Sequence, residues 1–442
     1  MKSLIDESVP MEAAAKFILH VLTSHGEQAY LVGGYVRDKV MGKQVQDIDI
    51  ATSALPDQVT KLFPHTIPTG LKHGTVTVRM NHRNYEVTTF RKESSYEFHR
   101  RPEHVEFVAD LLEDLKRRDF TINAMAMDQE GQLIDPYHGQ EDIAASVLRC
   151  VGNSVERFHE DALRMMRCVR FAANYQLAID GDTWHALTQH RTLLQYIAME
   201  RIGTEFDKIM SGSDPYRGLF ILLRSGLLQH TKVALSNKIT QCKAEALPAA
   251  LQNLSQLTNP QQRWAALLLH LNFTSEEVQL FVRNFAMSNL QLNRIQRLVN
   301  LSAWLLEKLH LIDPIKEGDI NRISEVWKLA ALQFGVTTMQ DWLAIALNTP
   351  LVKLDFSMAT TAEHSMKETG MKWLAEMPVH CLADLKVTGA EVTTRVNIPQ
   401  GPWVSAVLQL LLQAAALGVV RNETNDLLEN AEIYYREWHS NG

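Results

Sequence analysis

The segment LVGGYVRDKVMGKQVQDIDIAT, Leu31 to Thr52, decides how the chain is read. A double glycine, Gly33-Gly34, precedes a short amphipathic run to Gly42 and then the apolar-alternating stretch Val45–Ile50. Side chains alternate between faces along a strand, so Asp47 and Asp49 project together while Ile48 and Ile50 turn the other way. Two carboxylates on one face repel unless a cation lies between them, and a hard ion such as Mg2+ takes oxygen ligands. The glycines tolerate positive φ and let backbone N–H groups approach a phosphate, and a helix starting behind them adds the positive end of its dipole. A lone D-x-D is usually a solvated strand edge, and a lone Gly-Gly a turn. Together and in this order they describe a phosphate cradle, a helix and paired carboxylates on a strand, the layout of a nucleotidyl-transfer site.

The chain has 442 residues, too many for one core and enough for about three domains. With 46% apolar and 21% charged residues it has an ordinary globular composition, outside the disordered classes. The net charge of −7 requires that any RNA contact come from local basic surface rather than bulk charge. Cys150, Cys168, Cys242 and Cys381 are scattered without a C-x-x-C pair, which argues against a disulfide framework and a structural zinc site. Residues 1–17 carry acids early and lack the apolar core of a signal peptide. The longest apolar run, Val404–Val420, is interrupted by Ser405, Gln409, Gln413 and Gly418 and falls short of the roughly twenty residues of a membrane span. A cytoplasmic protein without membrane contact is expected, compatible with a monomer.

GGYVRD followed by DIDIAT resembles the signature of the polymerase-β-type nucleotidyltransferases, and within them the class II tRNA nucleotidyltransferases and bacterial poly(A) polymerases. The implied fold is α+β: a polymerase-β-like head with a mixed sheet, followed by all-α neck, body and tail domains. We place these at residues 1–145, 146–215, 216–335 and 336–442. In the head, Met11–Leu22 reads as an amphipathic helix behind Pro10, and Tyr30–Val32 as the strand leading into the double glycine. Gly74–Met80 and Tyr85–Arg91 read as further strands. Glu86 alternates with Tyr85 and Val87 and so can lie beside the aspartates. From the residues alone a cross-strand ion pair explains Glu86 as well as a third acidic group does; the resemblance implies the acidic role. Residues 92–106 show no clear period and read as a flexible loop, which the resemblance links to completion of a whole CCA end. The loop departs from the family's pattern at Phe98, where a polar or acidic residue is expected.

RRDFTINA, Arg117 to Ala124, resembles another motif of the same family. Asp119 and Asn123, four apart, are expected on one helix face, where the resemblance implies that they handle the sugar, with Arg117 and Arg118 near phosphate. Arg37 of the GGYVRD motif joins the nucleotide-binding candidates Gly33 and Gly34. In SVERFHEDALRMMRCVRF, Ser154 precedes a helix on which Arg164 can reach Glu160 or Asp161. The ordinary reading is a surface ion pair worth a few tenths of a kcal/mol. Base chemistry offers a sharper one. The pairing edges of cytosine and adenine set an amino donor beside a ring-nitrogen acceptor, and those of uracil and guanine reverse the order. A carboxylate that accepts beside a guanidinium that donates therefore fits C and A, and a mispaired buried group costs about 1–3 kcal/mol. EDALR resembles the EDxLR motif with which class II tRNA nucleotidyltransferases select C and A. That assigns Asp161 and Arg164 to a protein template, Glu160 to the support of Arg164, and Arg167 and Arg170 to the same nucleotide-binding face.

Beyond residue 216 strand signals vanish. Thr274-x-x-Glu277 and Ser288-x-x-Gln291 are capping boxes, and Arg322–Phe334 and Thr338–Leu347 fit further helices. The resemblance implies an enzyme that adds C, C and A to a tRNA 3′ end from CTP and ATP, with Asp47 and Asp49, and Glu86 beside them, at a two-Mg2+ centre. A poly(A) polymerase, an enzyme adding only the terminal A, and a non-catalytic RNA-binding relative are the alternatives. PTGLKHGTVTV, where poly(A) polymerases carry a basic stretch, speaks against the first. Intact Gly33, Gly34, Asp47, Asp49, Asp119 and Arg164 speak against the last.

Overall fold

The computed structural model describes residues 10–45, 47–97, 101–310, 319–350 and 357–441. The chain divides into two compact units, the first ending at Ala246 and the second beginning at Leu247. Residues 216–246, placed with the body from sequence, pack in the first unit.

The first unit opens with helix α1 (Met11–Ser24), strand β1 (Ala29–Val32), helix α2 (Gly34–Val40), strand β2 (Asp49–Thr52) and helix α3 (Pro56–Leu62). Strands β3 (Thr66–Gly70), β4 (Thr75–Met80) and β5 (Arg83–Thr89) follow, then a hairpin of β6 (Arg91–Glu97) and β7 (Arg101–Phe107), helix α4 (Leu111–Lys116) and the short strands β8 (Ala126–Met127) and β9 (Leu133–Ile134). Seven strands form one mixed sheet in the order β3-β4-β5-β2-β1-β8-β9, with β2 and β5 parallel. One face buries Ile18, Leu19 and Leu22 of α1 against Ile50, Val76, Val78, Tyr85 and Val87. The other packs Val32, Ala51, Phe90 and Ala126 against Leu111 and Leu115 of α4.

Strand β2 starts at Asp49, later than the expected Val45, because β1 ends opposite it: Val32 pairs with Asp49, and at Gly33 the chain turns away. Asp47 therefore lies two residues before the strand, yet the alternation persists, with Ile48 and Ile50 buried and Asp47 and Asp49 exposed. The flexible loop expected over 92–106 is also corrected. Antiparallel pairing runs from Arg91–Phe107 to Glu97–Arg101, a hairpin whose charged composition hid its period. Phe98 lies outside the described residues.

Helices α5 (Gly139–Ala144), α6 (Ser154–Glu160), α7 (Leu163–Asn174), α8 (Gly181–Gln189), α9 (Met199–Met210) and α10 (Pro215–Ser225) complete most of the unit. The single helix expected from Ser154 through Phe171 is two. Asp161 adopts an extended backbone, and its side chain accepts a hydrogen bond from the N–H of Leu163, restarting the helix as a capping aspartate does. Asn153 caps α6.

Among its described residues the second unit carries no strand. Thr274 and Glu277 form the expected capping box before Ser275–Asn284, and Ser288 and Gln291 bond reciprocally before Asn289–His310. Its aromatics serve packing: Trp327 and Trp342 are buried edge to face at 5.7 Å. The buried Asp341 is satisfied by Gln262 and Arg294. No described helix is long and apolar enough to cross a membrane.

Candidate active site

Sheet register assembles the acidic centre. Asp49 pairs with Val32 on one side and with Glu86 on the other. Tyr85 and Val87 point into the α1 layer, so Glu86 shares the α4 face with Asp49, as its alternation predicted. Gly33 follows Val32 directly, at φ +68° and ψ −128°, a conformation open to glycine and strained for other residues. A Cβ there would lie 3.1 Å from Nη1 of Arg118 and 3.7 Å from Oδ2 of Asp49. The glycine thus lets a guanidinium close over the backbone next to the carboxylate. Desolvation in the cleft floor raises the Asp49 carboxyl above its usual range, Glu86 and Asp47 add to the rise, and Arg118 opposes it.

A cleft of about 900 Å³ opens over this centre. Nine arginine and lysine side chains and four aspartates line it, a cationic pocket in an acidic chain. Gly33, Gly34, Arg37, Asp47, Asp49, Arg117, Arg118, Asp119, Asn123, Asp161, Arg164, Arg167 and Arg170 all reach its wall. Of the residues singled out in sequence, Glu86 and Glu160 do not line it.

The RRDFTINA segment is not one helix: α4 ends at Lys116 and a single 3-10 turn covers Thr121–Asn123. Asp119 and Asn123 nevertheless meet, because Nδ2 of Asn123 donates to Oδ1 of Asp119 at 3.0 Å. Oδ1 also accepts from the N–H of Phe120, Oδ2 accepts from Nε of Arg167 at 2.7 Å, and Asn123 Oδ1 accepts from Arg37 at 2.7 Å. Burial works against the ionised Asp119, but Arg167 and the Asn123 amide outweigh it and hold its pKa at about 2. Arg37 also lies 4.4 Å from the Tyr175 ring centroid, and Arg170 lies 4.2 Å from that of Phe171.

Asp161 and Arg164 both line the cleft, and the backbone N–H of Arg164 donates to the carbonyl of Asp161 at 2.9 Å. Arg164, 7% exposed, donates to Glu160, to the carbonyl of Arg157 at 3.1 Å and to the carbonyl of Arg117 at 2.9 Å. Glu160 buttresses it as expected and also binds Arg157. Asp161 is fixed by the Leu163 N–H and, at 2.9 Å, by Nη2 of Arg201 on α9. Arg201 went unnoticed in sequence, since forty residues separate it from its partner. So did Glu205, buried on α9, which holds Arg170 at 2.6 Å and Lys208 at 3.2 Å. His73 and Arg91, also on the cleft wall, were not among the candidates drawn from the sequence.

The Poly A polymerase head domain family matches residues 29–149, the stretch holding this acidic centre. The tRNA nucleotidyltransferase domain 2 family matches residues 255–431. The CCA-adding enzyme of Lactococcus lactis is 36% identical over 94% of this chain and 96% of its own. The chain belongs to the CCA-adding enzymes. That of Geobacillus stearothermophilus is 38% identical over 92% of this chain and 93% of its own. The crystal structure of the Bacillus stearothermophilus CCA-adding enzyme in complex with CTP superposes with a TM-score of 0.79 at 32% identity, covering 98% of this chain and 100% of the other. The Thermotoga maritima CCA-adding enzyme complexed with tRNA, 19% identical with a TM-score of 0.60, shares the fold. The protein is a nucleotidyltransferase with an α+β head and a mostly helical remainder, as the sequence implied.

Proposed function

We propose that this nucleotidyltransferase adds C, C and A to the 3′ end of tRNA in the cytoplasm, taking CTP and ATP as substrates and releasing pyrophosphate. The observation that carries the reading is the joining of two sets of groups in one cationic cleft: the Asp47–Asp49 centre and the Asp161–Arg164 pair. Catalytic carboxylates alone suit any polymerase-β-type enzyme. The carboxylate–guanidinium pair presents an acceptor beside a donor, the complement of C and A.

Among the described residues no three His, Cys, Asp or Glu side chains enclose a metal by themselves. The donor set still suits Mg2+: hard carboxylate oxygens on Asp47 and Asp49, with Glu86 beside Asp49 across the paired strands. Held by Asp47 and Asp49, the ion would supply Lewis-acid stabilisation of the phosphoryl oxygens and of the attacking 3′-hydroxyl.

The chain's own residues supply binding and orientation. Gly33 and Gly34 bring the backbone close to the phosphates, and Arg117 and Arg118 add charge-assisted donors. Asp119 and Asn123 face the sugar while fixing Arg167 and Arg37 on either side. Asp161 accepts from the base amino group and Arg164 donates to the ring nitrogen. Both are held by protein partners before substrate arrives, so little side-chain freedom is lost on binding. Residues 1–145 form the head and 146–215 the neck that selects the nucleotide, and the helical second unit, from Leu247 on, holds tRNA by shape and phosphate contacts.

The test is single-nucleotide extension. Purified protein and Mg2+ are incubated with tRNA transcripts ending before CCA, after C and after CC, each with one labelled triphosphate. Addition that stops after C, C and A supports the proposal. ATP added only to the transcript ending in CC makes this an A-adding enzyme, and long A tails make it a poly(A) polymerase.

A further inference from the structure

The head contributes Arg117 and Arg118 to the cleft, and both are tied to one carboxylate that no motif pointed to. Asp114, in the last turn of α4, is 1% exposed. Its Oδ1 accepts from Nε and Nη2 of Arg117 at 3.0 and 2.8 Å, and from the backbone N–H of Arg91 at 3.3 Å. Its Oδ2 accepts from Nη2 of Arg118 at 3.2 Å. Arg91, Arg117 and Arg118 all line the cleft. The other end of the Arg118 guanidinium lies against Gly33, beside Asp49, and its Nε–H is buried with no acceptor among the described residues.

Two adjacent guanidiniums repel each other, and each long side chain has about 2 kcal/mol of rotamer entropy to lose when it is fixed. One buried carboxylate between them answers both problems. It offsets one positive charge, leaves the other, and holds both forks in place before an anion binds. Helix spacing makes this possible, since Arg117 and Arg118 follow Asp114 by three and four residues. Packing alone does not call for a carboxylate here, because an apolar residue of similar size fills a buried site at lower desolvation cost.

We propose that Asp114 is a positioning residue for triphosphate binding, aiming Arg117 and Arg118 at the phosphates of the incoming nucleotide and pinning the start of the β6–β7 hairpin through Arg91. This rests on the reading of the cleft as a nucleoside triphosphate site. Because the phosphates are common to both substrates, Asp114 acts on CTP and ATP alike and leaves base selection untouched.

The test combines kinetics with binding in the absence of RNA. Asp114→Asn is expected to raise KM for CTP and for ATP in parallel, by about tenfold, the scale of one weakened charge-assisted contact, with a smaller fall in kcat and unchanged rejection of UTP and GTP. Affinity for inorganic tripolyphosphate should fall by the same factor. In an Arg117→Gln/Arg118→Gln background, Asp114→Asn should add less than a twofold further loss. Normal KM values, or a full tenfold loss still added in that background, overturn the proposal. Should Asp114→Asn fail to fold, Asp114→Glu carries the test: it keeps the charge but displaces it, so a raised KM at near-normal kcat supports the proposal and a normal KM overturns it. The tripolyphosphate titration separates the two readings. A wild-type protein that binds tripolyphosphate but incorporates neither nucleotide defeats the proposed function and leaves the role of Asp114 standing.

Discussion

Gly33→Ala probes the tightest point of the site. The backbone there has φ +68° and ψ −128°, where an L side chain costs about 1–3 kcal/mol. The added Cβ also meets Nη1 of Arg118 at 3.1 Å and Oδ2 of Asp49 at 3.7 Å. The first contact is tighter than ordinary packing, so the guanidinium must move by a few tenths of an ångström. Two effects follow, and Gly42 separates them. Gly42 also has positive φ, +65°, but nothing lies within 4 Å of a Cβ placed on it. Gly42→Ala therefore reports backbone strain alone, whereas Gly33→Ala adds displacement of Arg118.

For a unit of this size 1 kcal/mol corresponds to about 2–4 °C, so Gly33→Ala should lower the melting temperature of the first unit by roughly 2–12 °C. It should also raise KM for CTP and ATP by about tenfold or more, the scale of one lost charge-assisted contact. Gly42→Ala should lose stability and keep its KM. The assay is differential scanning calorimetry beside steady-state incorporation on a transcript ending in CC for ATP and on one ending before CCA for CTP. A Gly33→Ala protein with normal KM values, or a Gly42→Ala protein with an equal KM defect, refutes the claim that the glycine is required by its closeness to Arg118 and Asp49.

Asp47→Ala should abolish incorporation at any Mg2+ concentration while leaving tRNA affinity nearly intact in a filter-binding assay; substantial residual turnover would count against the carboxylate centre. Asp161→Ala and Arg164→Ala should each admit UTP or GTP, shifting discrimination by about 1–3 kcal/mol per mispaired group, or roughly 5- to 150-fold, and unchanged rejection would remove the template reading. Asp161→Ala should also lose about 1 kcal/mol of stability, because the side chain caps α7. Asp119 governs acid behaviour. Its pKa falls from 3.8 to about 2 on folding, so its stabilisation is complete above the unfolded value and drains away as pH drops from about 4 to 2. The shift is worth about 2 kcal/mol at neutral pH; urea titrations of wild type and Asp119→Asn between pH 6 and 2.5 should converge by about that amount, and parallel curves would contradict it.

Much of the site was legible because local rules carried it. Period two put Asp47 and Asp49 on one face even though only Asp49 is paired in a strand, and the same period placed Glu86 beside them across β2 and β5. Helical spacing put Glu160 against Arg164 across a helix break that went unforeseen. Periodicity cannot show that Asp161 serves as both wall and cap, because a capping aspartate inside a continuous apolar pattern leaves the pattern unchanged. The β6–β7 hairpin stayed hidden for a related reason. Its sequence mixes charges of both signs with few apolar residues, so alternation carries no hydrophobic signal. Contacts distant in sequence, Asp161 with Arg201 and Arg170 with Glu205, left no local trace. Asp114 is local to Arg117 and Arg118, three and four residues before them, but that spacing is common to helical ion pairs and did not single it out.

The buried acids also explain how a chain of net charge −7 makes a cationic cleft. Each arginine pointing into the cleft from α7, or from the loop after α4, is gripped by a carboxylate: Arg117 and Arg118 by Asp114, Arg164 by Glu160, Arg167 by Asp119 and Arg170 by Glu205. Unbraced guanidiniums at this density would repel one another and turn outward to water, where salt screens them. Held by acids that are largely withdrawn from solvent, they keep their charge directed inward. The acids that lower the overall charge are therefore part of what makes the cleft cationic, which is why bulk charge is a poor guide to polyanion binding here and the position of each carboxylate behind its arginine is the better one.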